Sequence, residues 1–73
     1  MGCRAGITTD LSRRKAEWQQ RYPKLYNWQS TAAFQNRAAA QAWEDKQYGC
    51  DKSGGGNDPD SPGAKWYGYR FEF

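Results

Sequence analysis

A shortage of aliphatic residues constrains the fold of this chain more than any other feature. Ile7, Leu11 and Leu25 are its only isoleucine, leucine or valine residues, beside four tryptophans, five tyrosines and three phenylalanines. A chain of 73 residues buries only about 60% of the surface that its unfolded form exposes, so the small core must be built largely from aromatic rings. The same rings stack on nucleobases and anchor subunit interfaces. Composition alone therefore leaves core packing, ligand binding and assembly open.

Charge and cysteine content narrow the classes of function. The net charge of +3 and the pI near 9.0 suit a polyanionic partner. Histidine is absent, and Cys3 and Cys50 lie far apart without a CxxC pair, which argues against a zinc site. The N-terminus shows no apolar stretch of signal-peptide or transmembrane length. We therefore expect a cytoplasmic protein with two free thiols and no membrane contact; a Cys3–Cys50 disulfide is the alternative for an exported chain.

Local patterns predict a strand and a helix in the first third of the chain. Residues 3–8 alternate as a strand with one buried face does. Thr9 and Asp10 are good N-cap residues, and a helix over 11–21 ends naturally before Pro23. Its inward stripe is expected to contain Leu11, Arg14 or Lys15, Trp18 and Tyr22.

The rest of the chain predicts two more strands and one more helix. A second strand is expected over 25–34, a helix capped by Asn36 over 37–48, and a terminal strand over 65–73. The glycine- and proline-rich stretch 51–63 is predicted to be a flexible loop. The whole chain, 1–73, is then one α+β domain with a small three-stranded, mainly antiparallel sheet and two helices packed on it.

Several side chains have a structural interpretation beside a functional one. Arg13, Arg14 and Lys15 would form a solvated helix face, pairing with Glu17, unless they bind a ligand. The tryptophans at 18, 28 and 43 are interpreted as core. Trp66 alternates to the face opposite the C-terminal tyrosines and is the better candidate for stacking on a ligand or for a subunit contact.

The stretch "AGITTDLSRR" resembles the second strand and first helix of the GIY-YIG nuclease domain. That family has a glycine at the strand end, a threonine two positions on, an Asn or Asp at the helix start and a catalytic arginine; these fall on Gly6, Thr8, Asp10 and Arg14. "FQNRAAAQAWE" is similar to the family's second helix, whose metal-binding glutamate matches Glu44. The resemblance covers roughly residues 4–45 and implies a reduced domain of the kind found in small phage-encoded proteins.

The tyrosines of the family's motifs are replaced or displaced in this chain. The tyrosine of the second half-motif falls at Arg4, and the strand with the "GIY" tyrosine has no counterpart before it. The terminal strand can take that strand's place beside the first strand, so that Tyr67 or Tyr69 supplies the tyrosine. An active nuclease would use Arg14, Glu44 and such a tyrosine with Mg²⁺ or Mn²⁺.

These observations favour a non-catalytic binder over an enzyme. The hypothesis is a homo-oligomer that binds a phosphodiester-containing nucleotide and, by analogy with phage accessory proteins, sequesters a nucleotide immune messenger in the host cytoplasm, with no metal or other cofactor. The alternatives are a metal-dependent GIY-YIG-type nuclease or phosphodiesterase, and an inhibitor that binds a bacterial defence protein. The candidate ligand-binding residues are Arg4, Thr8, Arg14, Trp66, Tyr67, Tyr69 and Arg70.

Overall fold

The computed structural model describes residues 2–55 and 63–73, which form two helices and a four-stranded mixed sheet. The elements in chain order are β1 (Cys3–Thr8), α1 (Leu11–Arg21), β2 (Tyr26–Ser30), α2 (Arg37–Asp45), β3 (Asp51–Lys52) and β4 (Tyr67–Glu72). The strand order is β2-β4-β1-β3. β4 is antiparallel to both β1 and β2, whereas β3 is parallel to β1. The predicted α+β class is confirmed, and the predicted count of three strands is wrong.

The strand that the sequence did not predict is β3, which lies at the start of the predicted loop. β3 pairs Asp51 with Arg4 and Lys52 with Ala5, so the loop begins after residue 52 rather than at 51. Most of the remaining loop prediction, over residues 56–62, lies outside the described residues.

Helix ends follow the capping chemistry of the sequence. The Asp10 carboxylate accepts a hydrogen bond from the Arg13 backbone N–H at 3.1 Å, and α1 has the predicted bounds. Asn36 caps α2 in the same way, but this helix ends three residues before the predicted position. The Gln47 side-chain amide donates to the Trp43 carbonyl at 3.1 Å. This hydrogen bond satisfies a carbonyl of the last helical turn while the chain turns away.

The core on the α2 side of the sheet is built around a tryptophan. Ile7, Ala40 and Trp66 are fully buried, and Phe34 packs against them. The Arg37 guanidinium lies over the Trp66 ring, 5.2 Å from its centroid. The prediction that Trp66 is available for ligand stacking or subunit contact is therefore wrong: α2 covers this face of β4, and the ring fills the space that aliphatic side chains fill in other proteins.

An aromatic layer separates the other face of the sheet from α1. Phe71 is fully buried at its centre, and Trp18 and Trp28 lie with their ring centroids 5.4 and 5.7 Å from it. No residue of α1 is buried, so large rings hold this helix on the sheet. Trp18, Trp28 and Trp43 are each half-buried; they pack at the rim of the core and not, as predicted, inside it.

A disulfide joins Cys3 at the start of β1 to Cys50, next to β3. The prediction of two free thiols is wrong, because the pairing of β3 with β1 brings the two cysteines together. Disulfides persist mainly in oxidising compartments, so the cysteines give no support to the predicted cytoplasmic location. Within residues 2–55 and 63–73, no helix has the length and apolar character needed to cross a membrane.

Candidate anion-binding site

Polar side chains converge on the α1 face of the sheet, around the hydroxyl of Tyr69. In the β1–β4 register, Arg4 lies opposite Phe71 and Gly6 opposite Tyr69, so these residues share one face. We call Arg4, Arg14, Trp18, Ser53 and Tyr69 the α1-face cluster. It draws on β1, α1, β4 and the residue after β3.

Arg4 is held in place but only weakly neutralised. Its Nη1 donates to the Ser53 hydroxyl at 3.2 Å, and its guanidinium carbon lies 5.0 Å from the centroid of the Trp18 ring. Its Nη2 is 3.8 Å from a carboxylate oxygen of Asp51, whose side chain is 73% exposed; such a pair contributes little. The buried Nε has no hydrogen-bond partner among the described residues. The guanidinium thus retains much of its charge.

Arg14 lies on α1, and its positive charge acts on the hydroxyl of Tyr69. Its side chain is 19% exposed and pairs with Glu17, three residues on, at 3.2 Å, which confirms the expected pairing. Arg13 is exposed, whereas Arg14 and Lys15 are half-buried. The interpretation of all three as a solvated face is therefore wrong for the last two, because they lie on the helix side that faces the aromatic layer.

Tyr69 is the buried centre of the cluster. Its ring is 1% exposed, and its hydroxyl accepts a hydrogen bond from the Trp18 indole N–H at 2.9 Å. Burial raises the pKa of Tyr69, while the hydrogen bond from Trp18, the positive charge of Arg14 and the Ser53 side chain oppose that rise. The hydroxyl therefore stays protonated at neutral pH, so the cluster keeps its positive charge.

Glu44 lies on α2 and is engaged on both carboxylate oxygens. It is 2% exposed and accepts hydrogen bonds from the Gln41 side chain at 2.6 Å and from the Gly54 backbone N–H at 2.8 Å. The sequence favours a structural interpretation of Glu44 as a surface residue paired with a lysine or arginine, and this interpretation is wrong because the side chain is buried. Its charge contributes to raising the pKa of Tyr69. In the part of the chain that the structure describes, no group of three or more acidic or cysteine side chains is placed to hold a metal.

The predicted ligand-binding residues divide between the two faces of the sheet. Arg4, Arg14, Tyr67 and Tyr69 lie on the α1 side. Arg70 lies on the α2 side, where its Nη1 donates to the Gln47 side-chain carbonyl at 3.1 Å and its Nη2 lies 3.5 Å from the Cys3 sulfur. The expectation that Arg70 joins Arg4 and Arg14 is therefore wrong.

Thr8 lies on the correct face but has a structural role. It is fully buried, and its hydroxyl accepts a hydrogen bond from the Asp10 backbone N–H at 2.9 Å. This contact fixes the turn from β1 into α1, so Thr8 orients the helix that carries Arg14.

Trp18 and Ser53 are members of the cluster that the sequence interpretation omitted. Trp18 is four residues after Arg14, so the two share a helix face. This spacing is the sequence signal that could have placed Trp18 beside Arg14 in the site. Ser53 lies in a glycine-rich stretch with no periodic signal. Arg14, Glu17, Trp18 and Arg21 also line an open cavity of about 190 Å³, which is next to the cluster and carries two cations against one carboxylate.

Comparison of the chain with models of protein families, with curated proteins and with solved structures finds no match. β4 does lie antiparallel to β1, with Tyr69 beside Gly6, which is the arrangement expected for a terminal strand that takes the place of the "GIY" strand. Membership of the GIY-YIG family remains a prediction.

Proposed function

We propose that the α1-face cluster binds the phosphate of a nucleotide ligand without hydrolysing it. The observation that carries this proposal is the approach of two guanidinium groups to one buried hydrogen-bonded pair. Arg4 lies over the Trp18 ring, Trp18 donates to Tyr69, and the charge of Arg14 acts on that same tyrosine.

The chemistry of the cluster suits a ligand that carries phosphate. Arginine presents several donors in a planar fork that fits phosphate oxygens, and such charge-assisted hydrogen bonds are stronger than neutral ones. Aromatic rings lie beside the cations, with the Lys15 ammonium 5.7 Å from the centroid of the Trp28 ring. Cations beside aromatic surface suit a ligand that has both phosphates and bases.

Binding without turnover follows from the same side chains. The chain has no histidine to act as a base, and the raised pKa of Tyr69 makes its hydroxyl a poor one. Both oxygens of Glu44 already accept hydrogen bonds. By the analogy with small phage-encoded proteins that the sequence resemblance implies, we propose sequestration of a nucleotide messenger, by a homo-oligomer and in phage counter-defence, as the biological role.

A metal-dependent nuclease is the second candidate, and one observation favours it. Arg14 and Glu44 both act electrostatically on Tyr69, and these are the three residue types that the family resemblance requires. In that case Glu44 would bind Mg²⁺ or Mn²⁺ beside its hydrogen bonds with Gln41 and Gly54. The catalytic test in the Discussion separates the two candidates.

Titration calorimetry with cyclic dinucleotides tests the binding proposal. Arg4→Gln and Arg14→Gln each remove a charge-assisted contact worth about 1.5–3 kcal/mol, so we expect Kd to rise about 10- to 100-fold. Arg13→Gln is the matched control, because it removes the same charge from the exposed side of α1, and it should change Kd less than twofold. Equal losses for Arg13→Gln and Arg14→Gln would contradict the proposal, as would the absence of binding to any cyclic or linear nucleotide.

A further inference from the structure

An apolar groove at the C-terminal end of α1 has a ligand-sized volume. It measures about 330 Å³, within the range of about 300–1,000 Å³ that is usual for small-molecule sites. Its apolar walls come from Tyr22, Pro23, Leu25 and Phe73, and its two charged lining residues, Arg21 and Lys24, are both cationic. A ligand of this groove would therefore combine an apolar surface with negative charge.

Arg21 connects this groove to the cationic cavity. It lines both spaces, and its guanidinium carbon lies 5.8 Å from the centroid of the Trp18 ring and 5.6 Å from that of Tyr22. Arg14 precedes Arg21 by two helical turns, a rise of about 10 Å, so the two arginines share one side of α1. Glu17 lies between them in sequence and lines the same cavity, so an anion held by both arginines would replace its carboxylate beside Arg14, while an apolar group of the same ligand occupies the groove.

We propose that the groove binds the base of a nucleotide whose phosphate lies at Arg14, where the α1-face cluster adjoins the cationic cavity that Arg14 and Arg21 line. This inference rests on the proposed function and adds a subsite to it. A nucleobase is flat and has two apolar faces, which suits walls formed by Leu25, Pro23 and aromatic rings. The charged groups of Arg21 and Lys24 are at the ends of long side chains, and the rest of the lining is apolar or aromatic. The groove therefore offers a base stacking and apolar contacts. We therefore expect the groove to bind nucleotides more tightly than phosphates that lack a base, with little preference for one base over another.

Two phosphate ligands that differ only by the base test the subsite. Adenosine 5′-monophosphate and ribose 5-phosphate are titrated against the whole chain. Contact with one base is worth about 1–3 kcal/mol, so the nucleotide should bind at least about fivefold more tightly. Leu25→Ser should remove most of this difference and leave the affinity for ribose 5-phosphate unchanged. Arg21→Gln should weaken the binding of both ligands, because Arg21 lines the cavity that holds the phosphate, and Lys65→Gln, a change at another exposed cation, should not.

A measurement on the unaltered chain keeps the test valid if Leu25→Ser does not fold. Nuclear Overhauser effects between the adenine protons and the Leu25 methyl groups are expected in the complex. Equal affinities for the two ligands, with no such effects, would refute the subsite and leave the proposed function standing. Failure of both ligands to bind would refute the proposed function and the subsite with it. Binding of decanoate in the groove, unaffected by Arg14→Gln, would identify a site for apolar anions and overturn the assignment to a nucleobase.

Discussion

The ring of Tyr69 occupies the space directly over Gly6, where a side chain would begin. A β-carbon added to Gly6 would collide with the Tyr69 hydroxyl and would lie 2.6 Å from the ring atom Cζ. The ring has little freedom to move, since Trp28 stacks on it with centroids 5.2 Å apart and Trp18 holds its hydroxyl. The glycine and the tyrosine therefore form one packing unit at the centre of the candidate site.

Gly6→Ala should destabilise the protein through this contact. Overpacking a rigid, buried site costs about 1–3 kcal/mol, measured as the free energy of unfolding in denaturant. The cost should fall below about 0.5 kcal/mol in a Tyr69→Ala background, because additivity fails for residues in contact. An equal cost in both backgrounds would show that the fold requires glycine at position 6 for its backbone conformation, and not to make room for the Tyr69 ring.

Alkaline pH should weaken the fold through Tyr69. Burial raises the pKa of this tyrosine in the folded chain above its ordinary value of 10.0. At a pH above about 10 the unfolded chain loses the proton while the folded chain keeps it, so the free energy of unfolding falls as pH rises. Below that pH the contribution is fully present.

Denaturant titrations at a series of pH values, with tyrosinate absorbance as a second readout, measure this effect. Tyr69→Phe should reduce the fall in the free energy of unfolding at alkaline pH. Tyr48→Phe, at a tyrosine that is 84% exposed, should leave the decline as it is. A decline of equal slope in Tyr69→Phe would assign the alkaline sensitivity to lysines instead.

The elements that the sequence predicts well are those with their own local signals. β1 alternates over its whole length, and α1 has a cap at Asp10 and a stop at Pro23, so both have the predicted bounds. β3 has only two residues, Asp51 and Lys52, both exposed. No periodicity can predict such a strand, because its position depends on pairing with β1 and on the disulfide.

The candidate site was predictable only in part because alternation defines two faces without saying which one a helix covers. β4 places Tyr69 on one face and Arg70 on the other, and Trp66, just before β4, lies on the same side as Arg70 with Ile7 and Ala40, as the alternation predicts. That α2 buries Trp66, while α1 lies over Tyr69, depends on tertiary packing. Arg4 and Arg14 lie on the same side of the sheet because α1, which carries Arg14, packs on the face of β1 to which Arg4 belongs. Ser53 joins them only through the pairing of β3.

Reduction of the disulfide should weaken both the fold and the site. A cross-link between residues 47 apart in sequence contributes about 4 kcal/mol in the chain-entropy description. It also anchors the segment whose Ser53 hydroxyl accepts from Arg4 and whose backbone N–H donates to the Ala5 carbonyl at 2.8 Å.

The Cys3→Ser/Cys50→Ser chain should therefore melt at a lower temperature and bind nucleotides more weakly. Ser53→Ala separates the two effects, since it keeps the disulfide and removes one hydrogen bond to Arg4. It should weaken binding with less effect on melting. A chain that melts and binds unchanged in dithiothreitol would contradict this role for the disulfide.

We predict that the chain forms a homo-oligomer through β2. Among the residues that the structure describes, Tyr26 and Tyr48 are the large hydrophobic residues that stay exposed, at 43% and 84%. Tyr26 lies in β2, at the edge of the sheet, and an edge strand offers unpaired backbone groups to another chain. Sedimentation should reveal a species heavier than the 8.4 kDa monomer. Tyr26→Lys should shift the population toward monomer and Tyr48→Lys should not; an unaltered chain that sediments as a monomer would refute the prediction.

The chain should bind its ligand without converting it. A one-metal phosphodiester hydrolase needs a metal ligand, an arginine that stabilises charge and a group that activates water, and loss of one such group costs orders of magnitude in rate. Here Arg14 is present, but Glu44 is held by Gln41 and Gly54, and the pKa of Tyr69 is raised. Where the resemblance to the GIY-YIG motif would place a tyrosine, the chain has Arg4, a permanent cation that can bind a phosphate but cannot accept a proton.

Incubation with cyclic dinucleotides, cyclic ADP-ribose isomers and single- or double-stranded DNA, followed by denaturation and chromatography, tests this prediction. We expect intact ligand, with or without Mg²⁺ or Mn²⁺, and the same result for Glu44→Gln. Metal-dependent turnover that Glu44→Gln abolishes and Glu17→Gln preserves would instead establish the nuclease. In that case the metal would bind Glu44 beside its hydrogen bonds with Gln41 and Gly54, so the metal should also change the amide signal of Gly54 in the unaltered chain.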